Sequence, residues 1–209
     1  MVSFPPMLSY RRFARLTLLL CTFTSAQAWA ADLSTDQANL LQGAAATGDA
    51  NALQQLRAAA AQGDVLAEYD LGTLYADGRG VTKDPGQADL WFRKAANQGY
   101  AIAQYRLGRL YDATHGGISD DAQAAAWYQK AADQGLAEAQ NDLGTMYANG
   151  QGVPQDYLQA IKWLTLAKQS GDPLAAPNLQ QCLDMVSDKD AAKAQKMANA
   201  WWAAHHRGN

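Results

Sequence analysis

Residues 67–99 read AEYDLGTLYADGRGVTKDPGQADLWFRKAANQG, and the same pattern returns 36 residues later at 103–135 and again at 139–171. Identical residues recur in this register at many columns, for example Leu71–Gly72, Leu107–Gly108 and Leu143–Gly144, then Tyr75, Tyr111 and Tyr147, then Trp91, Trp127 and Trp163. Because so many columns agree without an insertion or deletion, the segment is a structural repeat written three times.

The spacing of the apolar residues predicts two helices in each unit. Residues 67–77 carry apolar side chains at i, i+4 and i+7, which places them on one side of an α-helix. Gly78 and Gly80 predict the end of that helix, since glycine adopts left-handed backbone without a steric penalty. Asp84 and Pro85 predict the start of a second helix, with Asp as N-cap and Pro at the first helical position.

Three glycines stand in the middle of the first predicted helices. Glycine inside a helix costs about 1 kcal/mol relative to alanine, so Gly72, Gly108 and Gly144 indicate positions where a larger side chain would collide with a neighbouring helix. A single helical hairpin cannot bury its apolar stripe, whereas stacked hairpins build a continuous core. The predicted fold is all-α, a right-handed α-solenoid of stacked helical hairpins.

The repeat resembles the Sel-one-like repeat family, a relative of the tetratricopeptide repeat. Residues 67–99 match its pattern A-x-x-x-L-G-x-x-Y-x-x-G-x-G-V-x-x-D-x-x-x-A-x-x-W-x-x-K-A-A-x-x-G throughout, and 139–171 depart from it only near the end. Residues 103–135 depart in the loop, where Thr114 and Gly117 replace the first Gly and the Val. The resemblance implies an α-solenoid and a role as a protein-binding adaptor or scaffold.

The predicted organisation has four segments. Residues 1–30 form a signal peptide, 31–63 a degenerate N-terminal hairpin, 64–172 the three repeats, and 173–209 a C-terminal capping hairpin and tail. Terminal repeats are expected to be atypical, because one of their faces meets water instead of another repeat.

Both ends of the predicted stack carry recognisable signals. At the N-terminal end, Ser34-Thr35-Asp36-Gln37 can cap a helix that runs to about Thr47, and Gly48–Asp49 turns the chain into a second helix. At the C-terminal end, Trp201 and Trp202 are expected to cover the last hydrophobic face.

The first thirty residues have the outline of an export signal. Three arginines and no acid stand in residues 1–15, and the apolar run at 16–23 is too short to span a bilayer. The small-x-small pattern of a cleavage site occurs twice, ending at Ala28 and at Ala30, and we expect cleavage after Ala30. The mature protein is then expected to be periplasmic or secreted and not inserted in a membrane. Cys21 leaves with the signal. An uncleaved membrane anchor is the alternative, and the sequence leaves the export route open.

Charge and cysteine content exclude several classes of partner. The chain has 17 Lys and Arg against 20 Asp and Glu, and cleavage of the leader would remove three more positive charges. This balance argues against nucleic acid or an anionic membrane surface, both of which need a basic patch. Without the leader only Cys182 remains, so no intramolecular disulfide is expected. Oligomeric state is left open.

The search for catalytic chemistry is negative, and we expect a protein that is not an enzyme, with no catalytic residues, metal or cofactor. His115, His205 and His206 are the only histidines, and the last two are adjacent rather than spaced i, i+4 as a helical metal pair would be. G-x-S-x-G, S-x-x-K and K-T-G motifs do not accompany the serines. Two alternatives stay open: a binder of envelope glycan or peptidoglycan, and a cell-wall enzyme that binds or hydrolyses β-lactams, which the resembling family also includes.

The first helices of the repeats carry the candidate partner-binding residues. Six of them are expected to lie opposite the core stripe, namely Tyr69, Thr73, Tyr105, Arg109, Asn141 and Thr145, and Arg106 flanks them. The expected partner is another protein, bound in the groove of the solenoid, with Tyr69, Tyr105 and Arg109 at its centre because Tyr and Arg dominate interface energetics. The alternatives are that these residues are merely solvated, and that Asp70, Arg106 and Asp142 form ion pairs between stacked helices.

Overall fold

The computed structural model describes residues 33–115 and 119–206, without the side chain of His115. All of them belong to one compact unit, Asp32–Asn209. The proposed signal peptide, Cys21, Gly117 and Arg207 lie outside the described residues. The helices are α1 (Thr35–Ala46), α2 (Ala50–Ala61), α3 (Val65–Asp77), α4 (Pro85–Asn97), α5 (Ala101–Tyr111), a 3₁₀ turn (Ala113–His115), α6 (Asp121–Asp133), α7 (Ala137–Asn149), α8 (Tyr157–Gln169), α9 (Ala175–Leu183) and α10 (Asp188–His205).

The helices stack in chain order. Each helix from α1 to α8 packs against the next one along the chain, and the described part of the chain contains helices and no strand. First helices also meet across repeats, α1 with α3 and α7 with α9. Contacts that stay within one hairpin or reach only the adjacent hairpin are the property that defines a solenoid. The prediction of an all-α solenoid is therefore confirmed.

The mid-helix glycines lie at close helix contacts, as the sequence predicts. A Cβ atom on Gly72 would stand 2.5 Å from the ring of Phe92, and one on Gly108 would stand 2.4 Å from the ring of Tyr128. On Gly144 it would stand 2.7 Å from Leu164. The partner in each case is the second helix of the same repeat, so these glycines set how closely the two helices of a hairpin approach.

The N-terminal hairpin has the expected cap at Ser34, and at the expected turn Asp49 adds a cap that was not predicted from the sequence. Ser34 forms a capping box with Gln37 at the start of α1, and Asp49 caps α2 through its own side chain. Arg57 on α2 donates from Nη2 to Tyr75 Oη at 3.0 Å. Its counterpart 36 residues later, Arg93 on α4, donates in the same way to the Oη of Tyr111 at 2.6 Å. The shared bond shows that α2 occupies the position of a second helix.

The loops inside the repeats divide into two kinds. In the first and third repeats the helix ends at a left-handed glycine, Gly78 or Gly150, and a second left-handed glycine follows two residues later. In the middle repeat α5 ends at Asp112, whose Oδ1 accepts hydrogen bonds from the backbone N–H and the hydroxyl of Thr114. The described start of the middle loop, a 3₁₀ turn over Ala113–His115, therefore differs from the glycine ends of the other two repeats.

The C-terminal end is closed by α10, which packs against α8. Trp201 lies 6.0 Å from the ring of Trp163, and Trp202 packs against the central core with it. This confirms that the tryptophans cover the last apolar face. His205 and His206 stack on Trp201 and Trp202 at 3.9 and 3.8 Å, so both have defined partners at the end of the helix.

Candidate partner-binding surface

The seven predicted residues lie on α3, α5 and α7, and we call the surface that these three helices share the first-helix face. Arg109 is exposed, and Tyr69, Thr73, Tyr105, Arg106 and Thr145 are half-buried. Asn141 is 4% exposed. The expectation that these residues lie opposite the core does not hold for Asn141, and Tyr69 and Tyr105 pack against the central core as well.

The reason is that a first helix has neighbours on more than one side. In α7 the buried set includes Gln140 and Asn141 beside the apolar stripe that contains Leu143. The second helices cover one side of α7, and the first helix α9 covers another. The buried surface is thus wider than the stripe that apolar spacing alone predicts.

The two tyrosines are held by other rings. Tyr69 lies 5.9 Å from Phe92 and meets Tyr100 edge-on at 5.4 Å. Tyr105 lies 5.6 Å from Tyr128. Because such ring pairs stabilise one orientation, both tyrosines present a fixed edge rather than a mobile side chain.

Hydrogen bonds connect one first helix to the next. Tyr105 Oη donates to Asp142 Oδ2 at 3.1 Å, and Asn178 Nδ2 donates to Asn141 Oδ1 at 2.9 Å. Asn141 Nδ2 in turn donates to Asp142 Oδ1 at 3.2 Å. Each inter-helix bond joins residues that are 37 apart, one more than the repeat period of 36. A side chain of one repeat therefore contacts the next repeat one position beyond its own equivalent.

These bonds replace part of the expected ion-pair ladder. Arg106 and Asp70 form no ion pair with any residue that the structure describes. Asp142 is engaged by Tyr105 and Asn141 instead. Asn178 was not among the predicted residues, and the 37-residue spacing is the signal that would have found it.

The two threonines are engaged by their own helices. Thr73 Oγ1 donates to the carbonyl of Tyr69 at 3.1 Å, and Thr145 Oγ1 donates to the carbonyl of Asn141 at 3.0 Å. Their hydroxyl protons are therefore not available to a ligand, although the oxygens can still accept a bond.

Arg109 differs from the other six residues. It is exposed, and it makes no hydrogen bond or ion pair with the described residues. Its charge acts on Tyr105, whose pKa is raised mainly by burial and then by the charge of Asp142, while Arg109 opposes the rise. Helix α5 contains Arg106 and Arg109 and no acidic residue. A guanidinium without an internal counter-ion is suited to a carboxylate from outside.

Other chemically capable side chains are buried or engaged. Burial raises the pKa of the Cys182 thiol, which favours its protonated and less reactive form. Within residues 33–115 and 119–206, no group of three or more His, Cys, Asp or Glu could hold a metal ion. None of the helices described here combines the length and apolar character needed to cross a membrane.

Comparison with known proteins identifies the repeat. The family model of the Sel1 repeat matches three consecutive segments, residues 65–100, 101–136 and 137–172. No curated protein matches the sequence.

Two solved structures are similar. One is a Sel1 repeat protein from Oxalobacter formigenes, 42% identical over 62% of this chain and 38% of that chain, with a TM-score of 0.56. The other is a protective antigen present in uropathogenic Escherichia coli strains and displaying an SLR fold, 28% identical over 83% of this chain and 46% of that chain, with a TM-score of 0.45. The chain thus spans less than half the length of either protein.

Proposed function

Because the chain belongs to the Sel1 repeat family, we propose that it is a scaffold or adaptor that binds another protein on the first-helix face, with Arg109 as the central contact. Proteins built from this repeat typically serve as interaction scaffolds. The observation that carries the proposal is an exposed guanidinium with no internal partner beside a rigid tyrosine pair.

The chemistry of α5 favours a partner segment that presents carboxylates. Arg106 and Arg109 stand three residues apart and therefore lie on neighbouring parts of the helix surface. Tyr105 is fixed next to them by Tyr128 and Asp142 and supplies apolar contact area without further loss of side-chain freedom. An acidic segment could pair with the guanidinium groups while its apolar residues cover the tyrosine ring.

Arg109 also departs from the internal pattern of the repeat. Its counterparts Thr73 and Thr145 both return a hydroxyl bond to their own helix. The fold thus tolerates a short polar residue at this column, and the arginine adds nothing to internal bonding. A role in binding accounts for it.

Variants of Arg109 test the proposal directly. The mature chain is immobilised and used to capture partners from cell-envelope extract, which are then identified by mass spectrometry. Arg109→Glu is expected to lose the captured protein while its melting temperature changes little, because the exposed side chain makes no hydrogen bond or ion pair with the described residues. Arg79→Glu reverses an exposed arginine outside this surface and is expected to capture as the wild type does.

Retention of the partner by Arg109→Glu would overturn the assignment of the surface. Tyr105→Ala is a poorer first test than the sequence alone indicates, because it removes the packing against Tyr128 and the bond to Asp142 together. A loss of capture in that variant would mix binding with stability.

We further propose that this interaction takes place in the bacterial periplasm or outside the cell. The support is the arginine-containing start, the short apolar run and the small residues before Ala31. Intact-mass measurement of protein recovered from the periplasm tests it. We expect the mass of a polypeptide that begins at Ala31. The mass of a polypeptide that still contains residues 1–30 would contradict cleavage.

A further inference from the structure

Asp70 on α3 has equivalent positions at intervals of 36 residues, and at two of these, Asp142 and Asn178, the side chain contacts the preceding first helix. Asp142 on α7 accepts the hydroxyl of Tyr105 on α5. Asn178 on α9 likewise bonds to Asn141 on α7. Since α1 is the first helix before α3 and packs against it, the register of the repeat assigns Asp70 to the seam between α1 and α3.

At this seam α1 has a leucine in the place of the tyrosine that donates to Asp142. Helix α1 has two buried residues seven apart, Ala38 and Ala45, and α3 has two with the same spacing, Ala67 and Leu74. Matching these pairs aligns each residue of α1 with the residue 29 positions later in α3. By that correspondence Leu40 takes the position of Tyr69 and of Tyr105. Leu40 has no hydroxyl and is 75% exposed. The partner that Asp142 receives is therefore missing for Asp70.

Asp70 is nonetheless largely shielded from water, and one of its two carboxyl oxygens is fully buried. It is 4% exposed, and its Oδ2 atom has no hydrogen-bond partner. A buried carboxylate without a donor or counter-ion is strongly disfavoured relative to the neutral acid.

The nearest charge increases this preference. Asp64 caps α3 by accepting the N–H of Ala67 at 2.8 Å, and it also accepts the N–H of Leu33 just before α1. Burial raises the pKa of Asp70 to about 7, and the charge of Asp64 adds to the rise. Asp64 holds the chain at the start of α1, so the two carboxyls lie at the same junction.

Among the described residues no cation lowers the pKa of Asp70, including Arg106 of α5, which lies 37 residues after Tyr69. On α1 the acid Asp36 is exposed, and on α2 Arg57 is hydrogen-bonded to Tyr75. On α4 the charge of Lys94 acts on Glu68. At the start of α5, Tyr100 places a phenol close to Tyr69. Glu68 also has a raised pKa, through burial, but its Oε2 accepts a bond from Gln98 at 2.8 Å. Asp70 is the acid at this seam whose buried oxygen lacks a partner.

We propose that Asp70 is a pH-sensitive latch for the N-terminal hairpin. With its carboxyl protonated, α1 and α2 dock on α3; loss of that proton to water leaves an uncompensated charge in the seam and loosens the hairpin from the repeats. The docked state binds the proton more tightly than the open state, so docking weakens as pH rises from about 4 to about 7 and changes little above that range.

Hydrogen exchange of the full mature chain tests the latch. Protection factors, corrected for intrinsic exchange rates, are measured by mass spectrometry at pH 5 and pH 8. In the wild type the protection of α1 and α2 is expected to fall roughly ten- to hundredfold more than that of α7 and α8. In Asp70→Asn, which has nearly the same shape and no titrating group, this additional fall is expected to disappear.

Two further variants sharpen the result. Asp77→Asn removes an exposed carboxyl from the same helix and is expected to keep the wild-type difference. Asp70→Leu removes the titrating group even if the amide is not accommodated, and it should abolish the difference as well. An equal fall in wild type and both Asp70 variants, or a uniform fall along the whole chain, would overturn the latch.

Discussion

Gly43 in α1 and Gly108 in α5 are both helical glycines, yet their surroundings are opposite. A Cβ atom on Gly108 would collide with Tyr128, whereas one on Gly43 would meet nothing within 4 Å. The complete repeats use glycine to bring two helices together, and the terminal hairpin keeps a glycine where no helix presses on it. The first hairpin has therefore kept the order of the helices without the close packing of the repeats.

The largest effect is expected when the same substitution is made in both places. Gly108→Leu places a branched side chain where even one carbon does not fit and should destabilise the fold by several kcal/mol, about 3 or more. Gly43→Leu points into open space and should leave stability within about 0.5 kcal/mol or raise it slightly. Thermal unfolding followed by circular dichroism compares them, and equal melting temperatures would contradict the contrast.

A second test concerns the contact between the first repeat loop and α1. A Cβ atom on Gly80 would lie 1.8 Å from the carbonyl oxygen of Ala45, and Gly80 has a φ of +69°. Gly99 has a φ of +90° but open space around it. We expect Gly80→Ala to cost about 2 kcal/mol or more and Gly99→Ala about 1, since only the former adds a collision to backbone strain. Urea unfolding midpoints measure the difference.

A smaller effect is expected for the bond between α5 and α7. Tyr105→Phe keeps the ring against Tyr128 and removes the hydroxyl that reaches Asp142, which should cost about 1 kcal/mol. Tyr69→Phe removes a hydroxyl that makes no hydrogen bond with the described residues and should cost less than about 0.5 kcal/mol. If the two variants unfold at the same urea concentration, the bond contributes nothing to stability.

The smallest effect has the opposite sign. Gly43→Ala should stabilise the chain by about 0.5 to 1 kcal/mol, because it lowers the entropy of the unfolded chain and adds no collision. A rise of a few degrees in melting temperature is the expected result. A fall would show that α1 is packed against something at this position after all.

Sequence reasoning succeeds where the signal lies within one repeat. The helix caps at Ser34 and Asp84 and the close contacts of Gly72 and Gly108 all follow from local spacing. They were predictable because one period of the sequence contains both partners.

The burial of Asn141 and the bond from Tyr105 to Asp142 were not predictable in the same way. They depend on how one repeat sits on the next, and apolar periodicity does not register a polar residue buried by its neighbour. Asp70 is the clearest case. Its column repeats at Asp142, but its environment is set by α1, where the repeat pattern has been lost.

The packing of α10 on α8 also governs the order in which the protein can mature. Trp163 is 1% exposed in the finished fold, and Trp201 completes its enclosure from 38 residues further along. A ribosome or an export channel releases the chain from its N-terminal end, so Trp163 emerges well before the residue that covers it. During that interval the indole of Trp163 is uncovered, so the last repeat cannot complete its core until α10 has been released and has packed on α8.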